Sequence, residues 1–174
     1  MAAPGPGDDR ARAFAPVAGP GTRLLILGSL PGAASLRAGE YYAHPRNAFW
    51  PLIGAVIGRD LAGRPYADRL AALGAAGVGL WDVIAAAERR GSGDAEIRSP
   101  EAADLAGLVA TLPRLAAIGF NGATAARLGR RQLRGSAPAD LALIDLPSTS
   151  PAHAALSLAR KRAAWTPLAR FLEG

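Results

Sequence analysis

Leu24-Leu25-Ile26-Leu27 is a run of four apolar residues with no polar alternation, stopped by Gly28. A strand with one wet face would alternate, so this run belongs to a strand covered on both faces, the usual state of a parallel sheet. Segments 79–84, 115–120 and 141–146 read as three further strands, the last ended by Pro147. Between them, Phe49, Trp50, Leu52, Ile53, Val56 and Ile57 recur at helical spacing, and 66–73 and 123–128 read as helices. Ser99-Pro100-Glu101 has the form of a helix start and predicts a helix running to about 112. Residues 151–172 read as a last helix or helix pair. Buried strands alternating with helices predict a three-layer α/β/α sandwich with a central, mostly parallel four-stranded sheet. At 174 residues the chain has the length of one domain, expected over 22–174. Residues 1–21, rich in Ala, Pro and Gly, read as a flexible leader.

Composition closes several routes. The chain has no cysteine, which excludes a disulfide scaffold, a thiol nucleophile and cysteine-ligated metal. Its two histidines are too few for a histidine-rich metal centre. No run approaches the roughly 18 uncharged apolar residues of a membrane span, and the N-terminus lacks the basic and apolar regions of a signal peptide. The expectation is a soluble, cytoplasmic protein. A net charge of +6 favours an anionic partner such as nucleic acid. The excess is almost all arginine, Lys161 being the only lysine, and compositional bias toward Ala, Arg, Gly and Pro accounts for it equally well.

In such sheets ligands bind beyond the carboxyl ends of the strands. The loops there carry no dinucleotide or P-loop fingerprint and no nucleophile elbow. They do carry Gly28-Ser29-Leu30-Pro31-Gly32, and ten residues on Tyr41-Tyr42-Ala43-His44-Pro45-Arg46-Asn47-Ala48-Phe49-Trp50. Glycines let backbone amides approach a flat ligand, and an aromatic ring can stack on it. Asn47 has both a donor and an acceptor, suited to a water or a base edge, or to capping a helix. The other loop, Leu146-Pro147-Ser148-Thr149-Ser150-Pro151-Ala152-His153, sets three hydroxyls before a helix, where they either cap it or bind phosphate. Asn121-Gly122 reads as a turn or a base-edge contact, Asp82 and Asp94 as caps or loop anchors, and Phe49 and Trp50 as core. Arg127, Arg130, Arg131 and Arg134 form a solvated face that could assist DNA attraction, on a helix weakened by Gly129.

At these two loops the chain resembles the uracil-DNA glycosylase superfamily. Gly28–Gly32 matches its first motif, a Gly-x-x-Pro-Gly loop. Residues 42–50 match the aromatic-Ala-His-Pro-x-Asn-x-Phe-Trp segment of the mismatch-specific branch, and 146–153 match the second motif. The Ser-Leu-Pro-Gly and Pro-Ser-Thr-Ser-Pro forms, with Gly79–Val83 and Gly91–Asp94, look most like the hypoxanthine-DNA glycosylase branch. The likeness spans about 23–172. Leu30 stands where other branches carry a catalytic Asn or acid, and Leu146 where His or Asn often opens the second motif.

The resemblance implies a DNA repair enzyme that flips a deaminated base out of the duplex and hydrolyses its glycosidic bond, with hypoxanthine ahead of uracil. It moves the catalytic role to Asn47, with His44 as a second group. It assigns base binding to Gly28, Ser29, Leu30, Pro31, Gly32, Tyr42 and Asn121, and DNA binding to Ser148, Thr149, Ser150 and His153. No metal or organic cofactor is implied, and one lesion per pocket suits a monomer. A lyase step needs an amine nucleophile, and Lys161 is far from both motifs along the chain. Rival readings are a uracil glycosylase of broader range, a non-catalytic binder of damaged or single-stranded DNA, and an α/β domain acting on a small metabolite.

Overall fold

The computed structural model describes residues 10–174. Strand β2 (Leu24–Gly28) is wholly buried and lies inside a sheet of order β3-β2-β6-β7, with β3 (Val78–Asp82), β6 (Ala117–Asn121) and β7 (Ala142–Leu146). Every pairing in it is parallel. Side chains alternate across a strand, so Leu24 and Ile26 face one way and Leu25 and Leu27 the other. The first pair joins Phe49, Leu52, Ile53, Leu73 and Trp165 in one core. That core is built by α2 (Phe49–Ile57), α3 (Tyr66–Ala76) and α6 (Leu158–Trp165). The second pair joins Leu105, Val109, Phe120, Ala125 and Leu133 beneath α4 (Leu105–Ala110) and α5 (Ala123–Leu133). Each such buried Leu or Ile contributes roughly 1.5–3 kcal/mol. The sandwich has the expected three layers.

Four details depart from the sequence reading. Residues 10–21 do not trail as a leader: β1 (Ala11–Arg12) pairs antiparallel with β4 (Ile84–Arg89), and Val17 exchanges two hydrogen bonds with Leu80. Trp81 Nε1 donates to the Phe14 carbonyl at 2.9 Å. The edges of β3 and β4 need backbone partners, which this segment supplies whatever its composition. Residues 1–9, also assigned to the leader, lie outside the described residues.

Ser99-Pro100-Glu101 lies in strand β5 (Ile97–Ala102), which closes a second sheet of order β1-β4-β5. Proline is tolerated on such an edge because no ladder bond is asked of it. The helix starts later, at Asp104, whose carboxylate accepts from Gly107 N at 3.0 Å. Gly129 does not break α5. A Cβ there would stand 2.4 Å from a Phe120 ring carbon, so glycine lets the helix lie directly on the sheet. Residues 151–157 form turns rather than helix, with Ser157 capping α6 through Arg160 N at 3.2 Å. Within the same stretch, Thr166–Phe171 closes the chain as a 3-10 helix.

Candidate active site

Register brings the ends of four strands level: Gly28 lies opposite Asp82, and Asn121 opposite Leu146. Above them opens a cavity of about 530 Å³, within the usual range for a small-molecule site. All the sequence-nominated site residues line it: Gly28 to Gly32, Tyr42, His44, Asn47, Asn121, Ser148, Thr149, Ser150 and His153. Asp82 and the hairpin tip 92–94 line it as well.

The first loop is strapped down by the hairpin between β4 and β5. Ser29 Oγ donates to Asp94 Oδ1 at 2.6 Å, and Ala33 N, at the start of α1 (Ala33–Ala38), donates to Ser92 Oγ at 2.9 Å. Arg89 donates to the carbonyls of Pro31 and Gly91. Asp94 is therefore a loop anchor. Leu30 is buried in the core under α4 and α5 and brings no polar group to the cavity through its side chain.

Tyr42 is held with φ +54°, a region costly for a residue with a side chain. Its neighbours fix it there. Tyr41 N donates to the Tyr66 hydroxyl at 3.0 Å, Tyr41 Oη donates to the Ala15 carbonyl, and Ala43 N donates to Ser35 Oγ. The result stacks the Tyr42 ring on Phe49, with centroids 3.9 Å apart and planes 24° apart. The Tyr42 hydroxyl is buried without a hydrogen bond of normal geometry. Burial, and then Asp82, raise its pKa, so it stays a neutral phenol.

Asn47 stands just before α2, whose N-cap is Ala48. Its Oδ1 accepts from Phe49 N, the first residue of α2, at 3.0 Å, and the residue lines the cavity. His44 Nδ1 accepts from Arg46 N at 3.1 Å, which puts the proton of the neutral ring on Nε2. The first region then joins the second: Ala48 N donates to the Thr149 carbonyl at 3.0 Å.

The second loop hangs on Thr149, which is 1% exposed. Asn121 Nδ2 donates to Thr149 Oγ1 and Thr149 N donates to Asn121 Oδ1, both at 3.0 Å. Thr149 thus departs from the role of a phosphate ligand, because its hydroxyl points into the protein. Asn121 commits one hydrogen and one lone pair to Thr149 and retains a second of each. Ser148 and Ser150 are half-buried, and their hydroxyls accept from Ser150 N and Ala152 N at 3.1 and 3.2 Å. His153 is exposed.

Lys161, distant in sequence, returns to this loop: its Nζ donates to the His153 carbonyl at 2.8 Å. One helical turn on, Trp165 Nε1 donates to the Pro147 carbonyl at 3.1 Å, so α6 grips both ends of the loop. The Lys161 side chain is buried, which draws its pKa below the ordinary lysine value. Arg130 of the arginine face is turned aside to Asp145 at 2.9 Å.

Sequence reading did not single out Asp82 as a site residue. It is 4% exposed, and Oδ2 has no hydrogen-bond partner. Burial foremost, and then Asp94, push its pKa up to about 7, with Arg89 pulling the other way. Its signal was an acid closing an apolar strand at the ligand-binding end.

Among the described residues, no three His, Asp or Glu side chains are grouped to hold a metal ion, and no helix is long and apolar enough to cross a membrane. A family model described as the uracil DNA glycosylase superfamily matches residues 16–169. A protein of Methanosarcina barkeri (strain Fusaro / DSM 804), named hypoxanthine DNA glycosylase, is 45% identical over 63% of this chain and 69% of its own. A protein of the same name from Methanosarcina acetivorans is 43% identical over 64% of this chain and 70% of its own. The solution structure of a candidate uracil DNA glycosylase from Methanosarcina acetivorans superposes with a TM-score of 0.82 at 38% identity, covering 95% of this chain and 99% of that one. The Gly28 loop, the Asn47 segment and the Thr149 loop meet in one cavity at the strand ends, and with these likenesses they assign the chain: it belongs to the uracil DNA glycosylase superfamily.

Proposed function

We propose that this protein is a monofunctional DNA glycosylase that removes deaminated bases, hypoxanthine first, and leaves an abasic site. The observation that carries the reading is the convergence of Tyr42, Asn47 and the serine loop on one cavity of base size, in a chain 43–45% identical to proteins named hypoxanthine DNA glycosylase. Extruding the base costs a few kcal/mol, less at a mispair. Tyr42, which lines the cavity, stacks on the extruded ring, and the amides of Leu30 and Gly32 bond its carbonyl edge. Ser148 and Ser150, with the amides around them, hold the flanking phosphate. His153 lies on the exposed rim of the same loop, toward the DNA.

Asn47 has no useful basicity, so it orients water rather than taking its proton. The bond then breaks dissociatively, through an oxocarbenium-like sugar of the kind met in sugar hydrolysis. Fixed donors facing the developing charge contribute roughly 3–4 kcal/mol each. His44, with Nδ1 occupied, presents Nε2–H as a donor near the cavity mouth. Lys161 is tied to a carbonyl and is not the amine of a lyase step. The enzyme acts as a monomer in the cytoplasm, without metal or organic cofactor.

The test is single-turnover cleavage of labelled duplexes carrying one deoxyinosine or one deoxyuridine, with Asn47→Ala alongside. Cleavage at deoxyinosine that the substitution abolishes supports the reading. Preference for deoxyuridine keeps the superfamily chemistry and removes the hypoxanthine assignment. Binding without cleavage of either base makes the protein a damage binder.

A further inference from the structure

Asp82 closes β3 beside Gly28, where the central strands end, and lines the same cavity as Asn47 and Tyr42. A Cβ on Gly28 would lie 2.6 Å from Asp82 Oδ1 and 3.2 Å from Tyr42 Oη, so the carboxyl and the phenol flank the same bare α-carbon. Asp82 Oδ2 is buried without a hydrogen-bond partner, and the Tyr42 hydroxyl beside it has none of normal geometry. An ionised carboxylate in that condition is costly, and the surroundings do little to relieve it. From the hairpin, Asp94 and Arg89 act on it with opposite sign; from the loop before α2, Tyr41 and Tyr42 are neutral phenols. Arg89 hydrogen-bonds the carbonyls of Pro31 and Gly91 and forms no ion pair with Asp82. Asp82 therefore holds a proton up to about neutral pH, and as an acid it is far stronger than the Asn47 amide or the loop hydroxyls.

We infer that Asp82 is the general acid of the reaction, its protonated carboxyl hydrogen-bonding a ring nitrogen of the flipped purine and protonating it as the base departs. This rests on the glycosylase reading above and adds a reason for purine preference. Hypoxanthine has an unsubstituted acceptor at N7, whereas both ring nitrogens of deoxyuridine are substituted or protonated. As N9–C1′ breaks, its electron pair passes into the base while the Asp82 proton moves to N7, so hypoxanthine leaves neutral. Water oriented by Asn47 adds to C1′ and loses a proton to solvent. Asp82, ionised in the step, recovers its proton from solvent after the base has gone.

The experiment is single-turnover cleavage of deoxyinosine and deoxyuridine duplexes between about pH 5 and 9, by the native protein and Asp82→Asn. The native deoxyinosine rate falls about tenfold per unit above the carboxyl's pKa of about 7, and deoxyuridine cleavage does not follow that limb. Asp82→Asn lowers deoxyinosine cleavage by roughly 100-fold or more and removes the limb, while deoxyuridine loses less than about tenfold. A duplex with 7-deaza-2′-deoxyinosine, lacking N7, is cleaved slowly by native protein, and Asp82→Asn slows it no further.

A deoxyinosine rate within about threefold of native, or a lowered rate that keeps its alkaline limb, overturns the proposal. A surviving limb would belong to another group. If Asp82→Asn does not fold, the native profiles decide: the same limb on both substrates, or on neither, overturns it. Native protein that cleaves neither base brings down the glycosylase reading and this proposal with it. Cleavage of deoxyinosine without these signatures brings down only the proposal.

Discussion

Asn121 and Thr149 stand 28 residues apart and exchange two hydrogen bonds of 3.0 Å, one to a hydroxyl and one from a backbone amide. The pair joins the end of β6 to the loop after β7, and the Thr149 carbonyl passes the connection on to Ala48, next to Asn47. Three segments that carry the site are thus held by one buried threonine.

Thr149→Val keeps the volume and removes the hydroxyl. It leaves the Asn121 amide short of a buried partner, a loss of about 1–3 kcal/mol in urea unfolding. Single-turnover cleavage falls with it, because the Asn47 segment loses its support. Thr149→Ser retains the hydroxyl and recovers most of the cleavage rate.

Asn47→Ala removes the side-chain acceptor of Phe49 N, the first residue of α2, and costs about 1 kcal/mol of stability. Asn47→Asp keeps an oxygen acceptor for Phe49 N, and a negative charge at a helix start is favourable, so it unfolds near the native denaturant midpoint. The two variants separate the support of Phe49 N from catalysis. Cleavage lost in Ala and altered in Asp, with only Ala destabilised, assigns Asn47 to both tasks.

Asp82 makes folding stability fall as pH rises. Its folded pKa of about 7 lies above the ordinary 3.8, so between those values the native state binds more protons than the unfolded state. Stability from this group is present below about pH 4 and is lost progressively up to about pH 7. Asp82→Asn removes that slope, so the variant gains on the native protein by a few kcal/mol from the acid to the alkaline end. Urea unfolding at several pH values measures it.

Lys161→Met keeps most of the buried stem and deletes the bond to the His153 carbonyl. Amide exchange quickens across 147–153 while β2 and β6 are unchanged, and DNA affinity drops more than the rate of base removal once DNA is bound. Borohydride traps no covalent adduct between native protein and abasic DNA. A trapped adduct lost in Lys161→Met would make the chain a lyase as well.

The four central strands, the helix over Phe49–Ile57, the helix from Tyr66 as far as Leu73, and the loops bearing Gly28, Asn47 and Ser148 were legible in the sequence alone. Their signals are local: apolar runs, helical spacing and Gly-Pro punctuation act through neighbours a few residues away. The Ala102–Asp104 boundary misled because Pro100 satisfies the rules of a helix start and of an edge strand equally well. What tertiary structure alone decided lies across long separations. The Ala11–Arg12 strand on β4, the Asn121–Thr149 pair, the return of Lys161 to His153 and the burial of Asp82 all depend on which strand ends lie side by side. A carboxylate's burial and charge state depend on everything packed around it, and no window of sequence contains that.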